Sequence, residues 1–139
     1  MKILNRLGRV IYENENIDNI KELVEEAVRE DIGLASANLR CTDLRCANLI
    51  DADLRCANLI DASLTGAILT SANLTYASLR DADLRYASLT DANLTGARLE
   101  CANLECADLR CANLRDADLR YASLTGAILT GADRNRDEY

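Results

Sequence analysis

Leucine recurs at every fifth position from Leu34 to Leu129, twenty times without a gap. Two residues earlier, from Ala37 to Ala132, the slot is alanine in nineteen of twenty cases, the exception being Thr42. The residue between them is usually Asn, Asp or Ser, as at Asn38, Asp43, Asn48, Asp53 and Ser63, and the two residues after Leu vary most. This period fits neither regular element. On a helix five residues advance about 500°, so the leucines would spiral around the axis. On a flat strand every other leucine would face solvent.

The pattern needs a backbone that turns by the same amount at every repeat, so that each Leu and each Ala points to one interior. A narrow coil does this, with backbone hydrogen bonds running between successive turns. Ala beside Leu suits a narrow bore, which two large residues per step would overfill. Composition agrees: the chain is 49% hydrophobic but only 4% aromatic, with no Phe and no Trp, so its core is aliphatic. The inward set includes Leu39, Leu44, Leu49, Leu54, Leu84, Leu104 and Leu119, with Ala47, Ala82 and Ala102. Asn and Asp suit the bends, because their short side chains bond nearby backbone.

Runs such as Ala47-Asn48-Leu49-Ile50-Asp51 and Ala117-Asp118-Leu119-Arg120-Tyr121 resemble the pentapeptide-repeat family, whose signature is A-(D/N)-L-x-x. The resemblance covers residues 34–133. It implies an all-β solenoid, a right-handed quadrilateral β-helix with four pentapeptides per coil, Leu and Ala inside and the other positions outside. One hundred repeat residues then make about five coils, a rod of ~24 Å at β-strand spacing.

Such a rod has two ends to cover. Residues 1–33 read as an N-terminal capping segment. Lys2–Asn5 and Arg9–Glu13 can pair as a hairpin around Leu7-Gly8. Asp18 to Asp31 reads as an amphipathic helix with Ile20, Leu23, Val24, Ala27 and Val28 on one face, a capping-box-like start at Asn19 and Glu22, and Gly33 after its end. Residues 134–139 form a polar C-terminal tail, too charged to bury a leucine-lined coil. The last coil, around Leu119, Leu124 and Leu129, is therefore expected to join a second copy, making a homodimer through the C-terminal coils.

The chemistry-bearing residues point away from catalysis. There is no His, which removes most general-base triads and His-ligated metal sites. All six Cys occupy the second slot after Leu (Cys41, Cys46, Cys56, Cys101, Cys106, Cys111), and no two are twenty residues apart, so none stack on neighbouring coils. Free, reduced thiols are expected rather than disulfides or a metal site. The Asp51/Asp53, Asp81/Asp83 and Asp116/Asp118 pairs lack the cleft that acid–base work needs. Opposite charges twenty residues apart, Arg80–Glu100–Arg120 and Arg85–Glu105, are expected to pair across coils. No catalytic residue, cofactor or metal is expected.

The net charge of −7 disfavours direct binding to nucleic acid or to an anionic membrane. No apolar run suits a signal peptide or a membrane span, which gives a cytoplasmic expectation. The expected function is a non-catalytic structural or protein-interaction module with an unidentified protein partner. The alternative implied by the resemblance is a DNA mimic that binds a type II topoisomerase, DNA gyrase. Against it, residues 34–133 hold thirteen Asp and Glu and nine Arg, a net of only −4. The block Asp81–Leu99 also recurs at Asp116–Asp133, an offset of 35, with a cousin at Asp51–Leu69. These offsets place the copies on different faces, as expected where the fold matters more than any one face.

Overall fold

The computed structural model describes residues 1–135; of the expected tail, residues 136–139 lie outside the described residues. The chain opens with β1 (Lys2–Leu4), β2 (Val10–Glu13) and α1 (Ile20–Arg29). β1 and β2 pair antiparallel, with Lys2 opposite Glu13 and Ile3 opposite Tyr12. Asn5 Oδ1 accepts the N–H groups of Leu7 and Arg9 in the connecting turn, and Gly8 there has φ +77°. Glycine takes that conformation without a Cβ penalty.

Asn19 caps α1, its side chain accepting from the Lys21 and Glu22 N–H groups. The helix is two residues shorter at each end than Asp18–Asp31, because the cap fixes its start and the backbone leaves helical geometry at Glu30. Leu23, Val24 and Ala27 are fully buried and join Ile3 in the same core as the repeats. The Tyr12 hydroxyl lies 2.9 Å from the Glu26 and Glu30 carboxylates, tying β2 to α1.

From Leu34 onward the repeats between the two ends make the same backbone bonds. Leu39 N–H donates to Asn58 C=O at 2.8 Å and Cys41 N–H to Ile60 C=O at 3.0 Å, while Asn58 N–H returns to Ala37 C=O at 2.8 Å. Each repeat thus sends two N–H groups forward to the next turn of the chain and one back. Parallel bridges link residues twenty apart, from Asn38 with Asn58 to Asn113 with Asp133. Between Leu and the next Ala the chain turns, closed by an N–H such as that of Ala47 on the Leu44 carbonyl at 3.0 Å. Four such turns fit in each twenty-residue coil.

The turn takes four residues of every five, so a single residue per side pairs across coils. That is why the sides register as isolated bridges, and why β1 and β2 are the only continuous strands among the described residues. Pairing between residues twenty apart therefore runs through single-residue bridges rather than through the continuous strands that an all-β solenoid implies.

The bore is filled by leucine. Leu39, Leu44, Leu49, Leu54, Leu84 and Leu104 are fully inaccessible to solvent, as is Ala47, and Ala82 and Ala102 are nearly so. Each fully buried leucine contributes roughly 1.5–3 kcal/mol relative to an exposed one. Thr42, in an alanine slot, satisfies its hydroxyl by donating to the Leu39 carbonyl at 2.6 Å. Leu119, Leu124 and Leu129 are only half-buried. At the other end the hairpin meets the first coil: Asn38 N–H donates to Leu4 C=O at 2.7 Å, and Asn5 pairs antiparallel with Ala37. α1 is fixed alongside by Asn48 N–H donating to Glu25 Oε1 at 2.8 Å.

Candidate functional site

With Leu and Ala inside, three slots per repeat build the surface: the residues flanking Leu form the sides, and the second residue after Leu forms the corner. The corners adopt left-handed backbone even where they are not glycine, with φ of 54° at Cys41, 58° at Tyr86 and 61° at Tyr121. That conformation costs an L-residue on the order of 1 kcal/mol, which the repeated pairing on both sides overrides. All six cysteines sit at such corners as exposed free thiols. Where a corner is glycine, the neighbouring coil uses the space. The Tyr76 ring lies over Gly96, within 2.3 Å of where a Cβ would stand, and Cys46 Sγ is 3.4 Å from that point on Gly66.

The sides are organised by a clamp that the sequence reading missed. In Ala-Asp-Leu-Arg repeats the Asp and Arg flank one inward leucine and so project outward together. Asp83 Oδ1 accepts Arg85 Nε at 2.9 Å and the Arg85 backbone N–H at 3.2 Å, while Asp83 Oδ2 accepts the guanidinium end at 2.7 Å. The same bidentate clamp joins Asp43 to Arg45, Asp53 to Arg55, Asp108 to Arg110 and Asp118 to Arg120. Hydrogen bonds from Arg45 hold the Asp43 carboxyl down to about 2, and the equivalent arginines lower Asp53, Asp83, Asp108 and Asp118. Asn73 with Thr75 and Asn93 with Thr95 make a neutral version, with hydroxyl bonds of 2.6 and 2.7 Å.

The clamp corrects the expected cross-coil ladder. Arg85 is held by Asp83 rather than Glu105. Arg120 reaches Glu100 only at 3.8 Å while clamped to Asp118, and Glu100 has a second arginine, Arg98, at 3.6 Å. Arg80 makes no ion pair among the described residues. A rigid fork two residues away wins over a partner one coil away, because the Asp accepts backbone and guanidinium donors at once.

With the clamps in place, charge sorts by position. The corners carry Asp51, Asp61, Asp81, Asp91 and Asp116, five of the thirteen repeat carboxylates and none of the nine arginines. One side, built from residues 38–40, 58–60, 78–80, 98–100 and 118–120, carries four arginines (Arg40, Arg80, Arg98, Arg120) against Glu100 and Asp118. Among the described residues no three His, Cys, Asp or Glu side chains gather as a metal site would require.

The family model for pentapeptide repeats (8 copies) matches residues 34–70, 69–100 and 97–133. The chain belongs to the pentapeptide-repeat family. Among solved structures of that family it is similar to HetL, a pentapeptide repeat protein involved in heterocyst differentiation regulation in the cyanobacterium Nostoc sp. strain PCC 7120. The identity is 36% and the TM-score 0.59, over 76% of this chain and 54% of HetL. Rfr23 from the cyanobacterium Cyanothece 51142 is 41% identical with a TM-score of 0.59, over 69% of this chain and 62% of Rfr23. A pentapeptide repeat protein of the Arabidopsis thaliana thylakoid lumen is 35% identical with a TM-score of 0.54, over 73% of this chain and 63% of its own length. The chain thus spans between 54% and 63% of these relatives. No curated protein matches it.

Proposed function

We propose that this pentapeptide-repeat chain is a non-catalytic interaction module, a right-handed quadrilateral rod of about five coils over residues 34–133, capped by residues 1–33, that presents flat charged sides to a protein partner in the cytoplasm. The observation that carries this reading is the clamp. Outward polar groups are held in fixed pairs on flat sides instead of converging, so they supply a shaped, pre-ordered surface and no reaction centre. The regulatory involvement of HetL, which shares the fold at 36% identity, supports a role exerted through contacts. Six exposed thiols favour a reducing compartment.

The same clamp weighs against DNA mimicry. A polyanion's likeness needs rows of unneutralised carboxylates, whereas Asp43, Asp53, Asp83, Asp108 and Asp118 are each neutralised within their own repeat. DNA supercoiling by gyrase separates the two readings: it proceeds unchanged in the presence of this protein if the module reading holds, and is inhibited at micromolar protein if the mimic reading holds.

The half-buried Leu119, Leu124 and Leu129 support a homodimer joined at the last coils, since a two-fold contact hides the same patch on both copies at once. Light scattering at micromolar concentration is expected to give twice the 15.3 kDa chain mass, and Leu129→Glu to give the single-chain value. A wild-type mass that stays at one chain on concentration overturns the dimer.

A further inference from the structure

All four sides of the rod end in backbone edges at its N-terminal end, and the preceding chain covers two of them. On one, Asn38 N–H donates to Leu4 C=O at 2.7 Å; on another, the Leu34 and Ser36 N–H groups donate to Asp53 and Arg55 C=O at 2.8 and 2.7 Å. The other two are open: among the described residues no backbone N–H donates to the carbonyls of Asp43, Arg45, Asn48 or Ile50. The Asp43–Arg45 side carries a charged clamp, which blunts an open edge. The Asn48–Ile50 side is uncharged, and both residues are exposed, Ile50 by 42%. The Asn48 N–H is met at 2.8 Å by the Glu25 carboxylate, reaching over from α1.

Between α1 and this edge lies a groove of about 410 Å³, lined by Glu25, Val28, Arg29, Asn48 and Ile50. Val28 and Ile50 give it apolar walls, and Ile68, 39% exposed, continues them one coil along, where it pairs with Asn48. The two ions in the lining, Glu25 and Arg29, are of opposite sign. The register of the ladder points the Asn48 and Ile50 carbonyls away from the rod, toward α1. Two acceptors and one donor are what each inner coil presents to the coil before it, and that coil answers with two N–H groups and one C=O. The groove therefore has the hydrogen-bonding pattern of a vacant strand position. Leu34 and Ser36 show the donor spacing it requires, two residues apart.

We propose that the groove between α1 and the Asn48–Ile50 edge takes an extended, uncharged segment of a protein partner as an added strand. Two of its N–H groups donate to the Asn48 and Ile50 carbonyls, and one of its carbonyls displaces Glu25 from the Asn48 N–H. Main-chain bonds of this kind hold the segment, while an apolar side chain against Val28 and Ile50 selects it. The chain itself supplies the precedent, since Leu4–Asn5 is an extended segment seated on the same end of the rod. A nucleic acid backbone is disfavoured as occupant, because it offers no N–H donors to the carbonyls and meets the Glu25 carboxylate. The proposal rests on the interaction-module reading and adds to the flat sides a contact at one end.

The test titrates the full chain with an acetylated and amidated Ser-Val-Thr-Val-Ser peptide, and with the same peptide N-methylated at every residue, reading backbone carbonyl and amide resonances. Expected are saturable shifts at Val28, Asn48 and Ile50 with the first peptide and little change at Arg85 and Arg110. No shift is expected with the second, which keeps the side chains and loses the donors. Ile50→Lys sets a charge on the exposed edge and is expected to weaken binding about tenfold while the melting temperature holds. Glu25→Ala removes the competing acceptor and is expected to tighten binding severalfold, with α1 still held by Leu23, Val24 and Ala27. The absence of saturable shifts, equal binding of the two peptides, indifference to Ile50→Lys, or weaker binding to Glu25→Ala each overturn the proposal. Shifts confined to the flat sides, at Arg85 or Arg110, overturn the groove assignment and leave the module reading standing.

Discussion

Truncating one leucine column residue by residue tests the bore most directly. Leu44, Leu64, Leu84, Leu104 and Leu124 stack twenty residues apart, the first four fully buried and the last half-buried. Replacing Leu84 by Ala removes three carbons, about 2.4 kcal/mol of transfer free energy. The backbone ladders above and below hold the bore open, so the cavity does not collapse and the total reaches about 3–5 kcal/mol. At Leu124 roughly half the transfer term applies and no closed cavity forms, giving about 1 kcal/mol. Urea unfolding followed by far-ultraviolet circular dichroism reads the series, with a constant m-value as the check that the rod still unfolds as a unit. Leu64→Ala, Leu84→Ala and Leu104→Ala are expected to agree within about 1 kcal/mol. A Leu84→Ala cost below about 1.5 kcal/mol, or a Leu124→Ala cost equal to it at every protein concentration, refutes the burial argument. A Leu124 cost that grows with concentration reports the joint between copies instead.

The Asp–Arg clamps give a pH signature. Their carboxyls sit below the unfolded value of 3.8, Asp43 at about 2, so native chains hold fewer protons than unfolded ones in that window. Stability is therefore full above pH 4 and is lost as pH falls toward 2, and Asp43→Asn flattens its share of that loss in a melting-temperature series. The twenty-residue register is testable by a bridge: Gly66→Cys places a thiol against Cys46, whose Sγ is 3.4 Å from the Gly66 Cβ position. Under mild oxidation it is expected to leave five of seven thiols titratable, where the wild type keeps all six; seven remaining thiols contradict the register.

Much of this was legible in the sequence because the period forces it. Leu84 and Ala82 must face inward if each repeat turns alike, and Asn19 marks the helix start directly before Ile20, its first apolar position. The clamp escaped because a twenty-residue spacing draws attention to stacked pairs such as Arg85 and Glu105, whereas Asp83 is the nearer partner and also accepts the Arg85 backbone N–H. The left-handed corners escaped as well. Glycine or asparagine signals positive φ, but here Cys41, Tyr86 and Cys101 adopt it under compulsion from the pairing on either side.

The backbone's asymmetry has a consequence for growth. Because each repeat directs two N–H groups toward later coils and one toward earlier coils, the two edges of such a coil are different surfaces, donor-rich on one and acceptor-rich on the other. Edges of opposite kind can continue the ladder without limit, which is the geometry of a filament. Edges of the same kind cannot, so two copies meeting at their last coils must be held by leucine and alanine contacts across an interrupted ladder. The acceptor-rich edge is occupied by Asn5 and Leu4, running antiparallel to the first coil and out of its register. A hairpin of a dozen residues over that edge is expected to act as a polymerisation stop, and removing it to turn a discrete particle into fibres visible by electron microscopy.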